Sequence, residues 1–120
     1  MILQRLWIGL GALYGLTTVA MAALAAHLIP AAGQAMVRDA IQMQGWHALA
    51  LLFTGLWAAR AGILAHLAGA AFALGTLLFC GAIFSLVLAG VRLPLVAPTG
   101  GVLLMLGWCL LAVSALRRPA

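Results

Sequence analysis

The sequence contains no lysine and a single acidic residue, Asp39, and only 6% of its 120 residues are charged. Soluble globular chains run near a quarter charged, so this chain lacks the means to clothe a water-facing surface. One carboxylate cannot supply paired acid–base chemistry. The missing lysine removes Schiff-base catalysis, and neither a Gly-rich phosphate loop nor a placeable Ser-His-Asp set is present. Catalysis is therefore not expected. The two cysteines, Cys80 and Cys109, lie in long apolar runs; they form no disulfide framework and read as small hydrophobes.

What is there is apolar. Hydrophobic residues make up 68% of the chain and its mean hydropathy is +1.26, which points to lipid as its solvent. The net charge of +5 comes from six arginines placed singly or in one pair. With no basic patch or aromatic-interleaved stripe, nucleic acid is not an expected partner. The arginines read as membrane-edge charges.

Their spacing divides the chain into four expected transmembrane helices, an all-α bundle with short loops forming one membrane domain over 1–120. The charge-free run from Leu6 to Ile29 closes at Pro30 and is long enough to cross a hydrocarbon core of about 30 Å. A competing reading makes Arg5 the n-region of a signal peptide cleaved near Ala22 or Ala25. Pro30-Ala31-Ala32-Gly33 and the polar residues Gln34 to Asp39 are expected to form a loop. Helix two is expected over about 41–59, between Asp39 and Arg60. Helix three is placed at about 67–90, after a turn near Arg60-Ala61-Gly62 and an interfacial lead-in through His66. Helix four spans about 99–116, with Thr99 as N-cap and Arg117-Arg118 as its stop, which leaves no room for a soluble domain.

Four spans place both termini on one side. Arg5, Arg60, Arg117 and Arg118 share that side, and Arg38 and Arg92 face the other, so the positive-inside bias predicts cytoplasmic termini in a bacterial inner membrane. Small residues at Gly11 and Gly15, and at Ala65, Gly69 and Ala73, allow helices to approach closely. Trp7 reads as an interfacial anchor, and Trp46, Trp57 and Trp108 as anchors or packing residues.

The polar residues gather at one place. His27 lies near the end of helix one, and Asp39, Gln42, Gln44 and His47 near the start of helix two, so a hairpin brings them together toward the non-cytoplasmic side. At 100° per residue, Arg38, Asp39, Gln42 and Trp46 share one arc of helix two, and Met43, Gln44 and His47 the opposing one. Arg92 arrives on the same side as a partner for Asp39. His27, Met43 and His47 are weak metal candidates, because no two histidines stand at i,i+4 (HxxxH) spacing to support them. The favoured reading gives each histidine one hydrogen bond that satisfies a polar group in apolar surroundings.

The stretch Gln44-Gly45-Trp46-His47-Ala48-Leu49-Ala50-Leu51-Leu52 resembles the "QMYHALALL" signature of the membrane family called domain of unknown function 423. Phe79-Cys80-Gly81-Ala82-Ile83-Phe84 is similar to its "FSGSLY" stretch, and Ala97-Pro98-Thr99-Gly100-Gly101 through Gly107-Trp108 to its "TPIGG…LGW" stretch. His27 stands where the histidine of its "GAFGAHGL" motif does, with Ala22, Ala25 and Leu28 in place of glycines. The resemblance implies a four-helix membrane fold and marks Gln44, His47, Gly81, Pro98, Gly100 and Gly101 as positions of interest. It supplies no activity, and the cofactor is unknown.

The expected function is that of a structural or accessory subunit acting through helix contacts, among membrane lipids, with further copies or a larger membrane complex as partner. One alternative is a binder of a small molecule, metal or lipid through His27, Gln44 and His47. The other is a minimal transporter or oligomeric pore lined by the polar face of helix two.

Overall fold

The computed structural model describes residues 1–117 and contains four α-helices among them: α1 (Ile2–Leu28), α2 (Ala31–Ala61), α3 (Ile63–Ala89) and α4 (Val96–Leu116). The expected roles of Arg118, Pro119 and Ala120 lie outside the described residues. Three helices, α1, α3 and α4, are long and apolar enough to cross a membrane.

The helices turn back on one another through short connections. Ile29 and Pro30 alone separate α1 from α2, and both are extended, as the residue before a proline favours. Gly62, with φ 63° and ψ −132°, is the whole link between α2 and α3; that backbone region is open to little but glycine. Gly90, left-handed at φ 69°, ends α3 by donating its N–H to Leu86 O at 3.0 Å, a common helix terminator.

The expected loop at Gln34 to Asp39 is helical. Two forces make it so. Gln34 Nε2 donates to Ala25 O at 2.8 Å and to Ile29 O at 2.7 Å, tying the first turn of α2 to the end of α1, where Ala25 O also accepts the Ile29 N–H at 3.4 Å. Val37 and Ala40 are fully buried while Arg38 and Asp39 are exposed, so the stretch is amphipathic. Gly33 is a packing residue too, since a Cβ there would lie 2.8 Å from Val87 Cγ1. Around this end of the bundle Ala25, Ile29 and Val37 form a small second core under Phe84 and Val87.

Thr99 is not an N-cap. Helix α4 begins at Val96, and Thr99 Oγ1 donates back to Leu95 O at 2.6 Å. Pro98 falls in the first turn, where its missing N–H would have had no partner in any case.

Helices α2 and α3 form the centre. Both α1 and α4 lie against this pair, yet no Cα of α1 comes within 8 Å of α4 among the described residues. The two outer helices therefore occupy opposite flanks of the α2–α3 pair. The main core sits at the centre, where Leu51 and Phe72 are fully buried together with Trp7, Ala50, Ala68 and Leu104.

Close approach is set by glycine. A Cβ on Gly11 would lie 2.8 Å from Ala48 O, and one on Gly55 2.9 Å from Gln4 O, so α1 and α2 meet backbone to backbone. Gly15, the expected partner of Gly11 in the motif, meets nothing within 4 Å. At that level of α1 it is Thr18 that faces α2, with Cγ2 3.4 Å from where a Cβ of Gly45 would be.

Candidate functional site

The polar side chains predicted to converge divide into two groups. Gln44 and His47 are buried, at 6% and 2% exposure. His27, Asp39 and Gln42 are exposed, and Arg92 lies exposed on the α3–α4 connection. Among the described residues no ion pair joins Asp39 to Arg92; Arg92 instead borders a hollow beside Met36 and Pro94. The cause is helical geometry: Asp39 and Gln42 occupy the arc of α2 opposite to the packed stripe of Val37, Ala40, Gln44, His47 and Leu51.

His47 is fully engaged. Its Nε2 accepts the indole N–H of Trp108 at 3.0 Å, and its Nδ1 lies 2.6 Å from Met43 O. A carbonyl can only accept, and Nε2 is already accepting, so the ring must carry its proton on Nδ1. Phe72 lies 5.6 Å from the imidazole and 4.9 Å from the Trp108 ring, centroid to centroid. With both nitrogens used, His47 offers no lone pair to a metal. Met43 packs against the main core, and His27 stands exposed in the last turn of α1. The weak metal candidates His27, Met43 and His47 thus do not converge: Met43 and His47 turn into the core, and His27 stands outside it.

The same device recurs across the bundle. Trp7 Nε1 on α1 donates to His66 Nδ1 on α3 at 3.0 Å, and Trp57 Nε1 on α2 donates to Ser114 Oγ on α4 at 2.9 Å. Tyr14 Oη on α1 donates to Ala73 O on α3 at 2.8 Å. Each bond runs diagonally, from an outer helix to the central helix that is not its chain neighbour, a pair whose backbones approach at few points. Trp7 is no interfacial anchor: it is buried, seated over Gly69, where a Cβ would come within 2.7 Å of the indole. Trp46, 56% exposed, and Trp108, 47% exposed on the face away from its bond to His47, turn outward in the manner expected of anchors.

Gln44 serves α1. Its Nε2 donates to Thr17 Oγ1 at 2.6 Å and to Tyr14 O at 3.1 Å; the second acceptor is a carbonyl, which assigns nitrogen to that side of the amide. The amide oxygen accepts no hydrogen bond among the described residues.

Beside this amide the bundle opens. Helices α1 and α3 touch at Trp7–Gly69 and Tyr14–Ala73 and then part, leaving a cleft of about 340 Å³ that reaches Tyr14 and Thr17 of α1, Gln44 of α2, and Thr76, Cys80 and Gly81 of α3. Among the described residues no charged one borders it. Gly81 keeps it open, since nothing lies within 4 Å of where its Cβ would be. Thr76 is the unusual member. Thr17, Thr18, Thr54 and Thr99 each donate to a carbonyl of the preceding turn, the ordinary use of a helical hydroxyl. Thr76 Oγ1 is buried with no partner among the described residues.

The glycines marked by the family resemblance serve different ends. Gly100 faces Gly75 at the tightest point between α3 and α4, and a Cβ there would lie 2.5 Å from the Phe79 nitrogen. Gly101 meets only Phe79 Cδ2, at 4.0 Å. Gly107 makes room for the Phe72 ring, a position that spacing alone gave no reason to select.

Comparison with known proteins identifies relatives along nearly the whole chain. The inner membrane protein YgdD of Escherichia coli K12, of the UPF0382 group, is 34% identical over 122 residues, covering 95% of this chain and 92% of its own. The UPF0382 membrane protein SAB0533 of Staphylococcus aureus is 31% identical over 95% of this chain and 98% of its own. A UPF0382 membrane protein of Haemophilus influenzae is 28% identical over 98% of this chain and 99% of its own. No solved structure matches. Residues 21–101 match the family described as a protein of unknown function, DUF423. With its four helices, three of them long and apolar enough to span, and inner-membrane relatives across its length, the chain is a multi-pass inner-membrane protein and belongs to the DUF423 family.

Proposed function

We propose that this protein is a non-catalytic accessory subunit of the inner membrane, crossing it four times with both termini in the cytoplasm and acting through the outer faces of its helices. The crossing of α2 is supported by its packing along α1, from Gly55 against Gln4 and Ile8 to Gln34 against Ala25 and Ile29. A helix that accompanies a spanning helix over this length spans with it. Residues 40–59, between Asp39 and Arg60, are uncharged and cover about 30 Å, the thickness of the hydrocarbon core. On this placement the first turns of α2, with the end of α1 and of α3, stand above the membrane core. The long axis of 52 Å accommodates that projection.

Orientation follows from the arginines. Arg5, Arg60 and Arg117 lie at one end of the bundle and Arg38 and Arg92 toward the other, and the richer end stays in the cytoplasm.

The observation that carries the accessory reading is the set of diagonal bonds from Trp7, Trp57 and Trp108. They commit His47, His66 and Ser114 to holding the helices in one arrangement. A pore lined by the polar face of α2 would require His47 to leave Trp108, and Gln44 to leave Thr17 and Tyr14, with each partner stranded in the core at a cost of about 1–3 kcal/mol. Crosslinking in native membranes followed by mild extraction tests the reading. A defined assembly, with further copies or a different membrane protein, is expected; a bare monomer would overturn it.

A further inference from the structure

We propose that the cleft between α1 and α3 is a binding site for a neutral lipid alcohol, a long apolar molecule with one hydroxyl, seated against Gln44 and Thr76. The volume, about 340 Å³, lies at the lower end of the range for ligand sites. Its walls are largely apolar, and no charged residue among those described reaches them.

Depth excludes a charged headgroup. Gln44 lies five positions along α2 from Asp39, roughly 7 Å deeper in the membrane, where an ion would lose its hydration without gaining a counter-ion. The molecule that reaches Gln44 is neutral.

Two unsatisfied groups then select its polar atom. The Gln44 amide oxygen can only accept a hydrogen bond, and its nitrogen is spent on Thr17 and Tyr14. The Thr76 hydroxyl, buried with no partner, has a proton to donate. A hydroxyl answers both, donating to Gln44 and accepting from Thr76. A ketone or ether answers Thr76 alone, and a hydrocarbon neither. Leaving such groups unpaired in a dry interior is costly, and Thr76 has forgone the backbone bond that every other described threonine makes.

The test uses the full-length protein in phosphatidylcholine vesicles and two photoactivatable probes of equal chain length, a diazirine-bearing fatty alcohol and its methyl ether. Saturable labelling by the alcohol is expected on residues 13–21 of α1 and 76–84 of α3, stronger than by the ether by at least about five-fold, the effect of one hydrogen bond. Thr76→Val keeps the shape of the side chain and should bring alcohol labelling down to the ether's level while the protein stays folded. Gly81→Leu fills the cleft and should abolish labelling by both. Equal labelling of the wild-type protein by the two probes would overturn the proposal without recourse to any variant. So would undiminished alcohol labelling in Thr76→Val, or labelling that survives in a folded Gly81→Leu protein.

Discussion

Gly75 and Gly100 meet face to face across α3 and α4: a Cβ on Gly75 would lie 2.9 Å from Gly100 O, and a Cβ on Gly100 would lie 2.8 Å from Gly75 O. Around Gly100 the nearest atoms are the Phe79 nitrogen, Gly75 O and Leu78 Cβ, with no flexible side-chain tip to move aside. Lipid gives helices no hydrophobic reason to associate, so such close packing is a main source of their attraction. Replacing Gly100 by Ala should therefore push α4 outward and cost about 1–3 kcal/mol. Gly101→Ala, which meets only an aromatic carbon at 4.0 Å, should be nearly neutral. Thermal denaturation of the two variants in the same detergent checks the contrast.

Trp108 and His47 should behave as a coupled pair. Trp108→Phe leaves the His47 Nε2 acceptor unpaired in the core, which is expected to cost about 1–3 kcal/mol, more than the average of about 0.6 kcal/mol for interhelical bonds in membranes. His47→Leu removes the acceptor with its partner, so adding it to Trp108→Phe should recover part of the loss. A double-mutant cycle by denaturant titration in micelles measures the coupling; strictly additive effects would show that the bond contributes nothing.

Two glycines outside the packed interfaces should respond in opposite directions. Gly81 sits within α3 with open space around it, so Gly81→Ala should stabilise the helix by up to about 1 kcal/mol. Gly62 also has open space but holds φ 63° and ψ −132°, and Gly62→Ala should cost about 1–3 kcal/mol through the backbone alone. Melting temperatures of the pair separate space from conformation.

Topology is testable with a membrane-impermeant maleimide on intact cells. In a background lacking Cys80 and Cys109, a cysteine at His27 should react from outside, and one at Arg60 only after the cells are opened. The reverse pattern would place the termini outside.

Much of the architecture was legible because charge and membrane thickness are counted along the chain. Six arginines and one aspartate bracket four runs, and Pro30, Gly62 and Gly90 mark the reversals. The polar stretch at Gln34 to Asp39 misled because polarity suggests a loop. Its 3–4 residue spacing of Val37, Ala40, Gln44, His47 and Leu51 was the better signal, and it continues the apolar stripe of α2. Partners were not legible in the same way. That Trp7 reaches His66, or Trp108 reaches His47, depends on which helices face diagonally, and nothing in local spacing specifies that. The cleft was equally hidden, being created where Gly81 offers no side chain and Thr76 makes no bond.

The imidazole of His47 decides whether the interior polar groups are structural braces. Nitrogen-15 NMR of histidine-labelled protein in micelles reads which ring nitrogen carries the proton. Acceptance of the Trp108 N–H at Nε2 and donation from Nδ1 to Met43 O require the Nδ1–H tautomer, with a correlation across the Trp108–His47 bond. An Nε2–H tautomer could not accept from Trp108, and finding it would contradict the brace and the accessory function built on it.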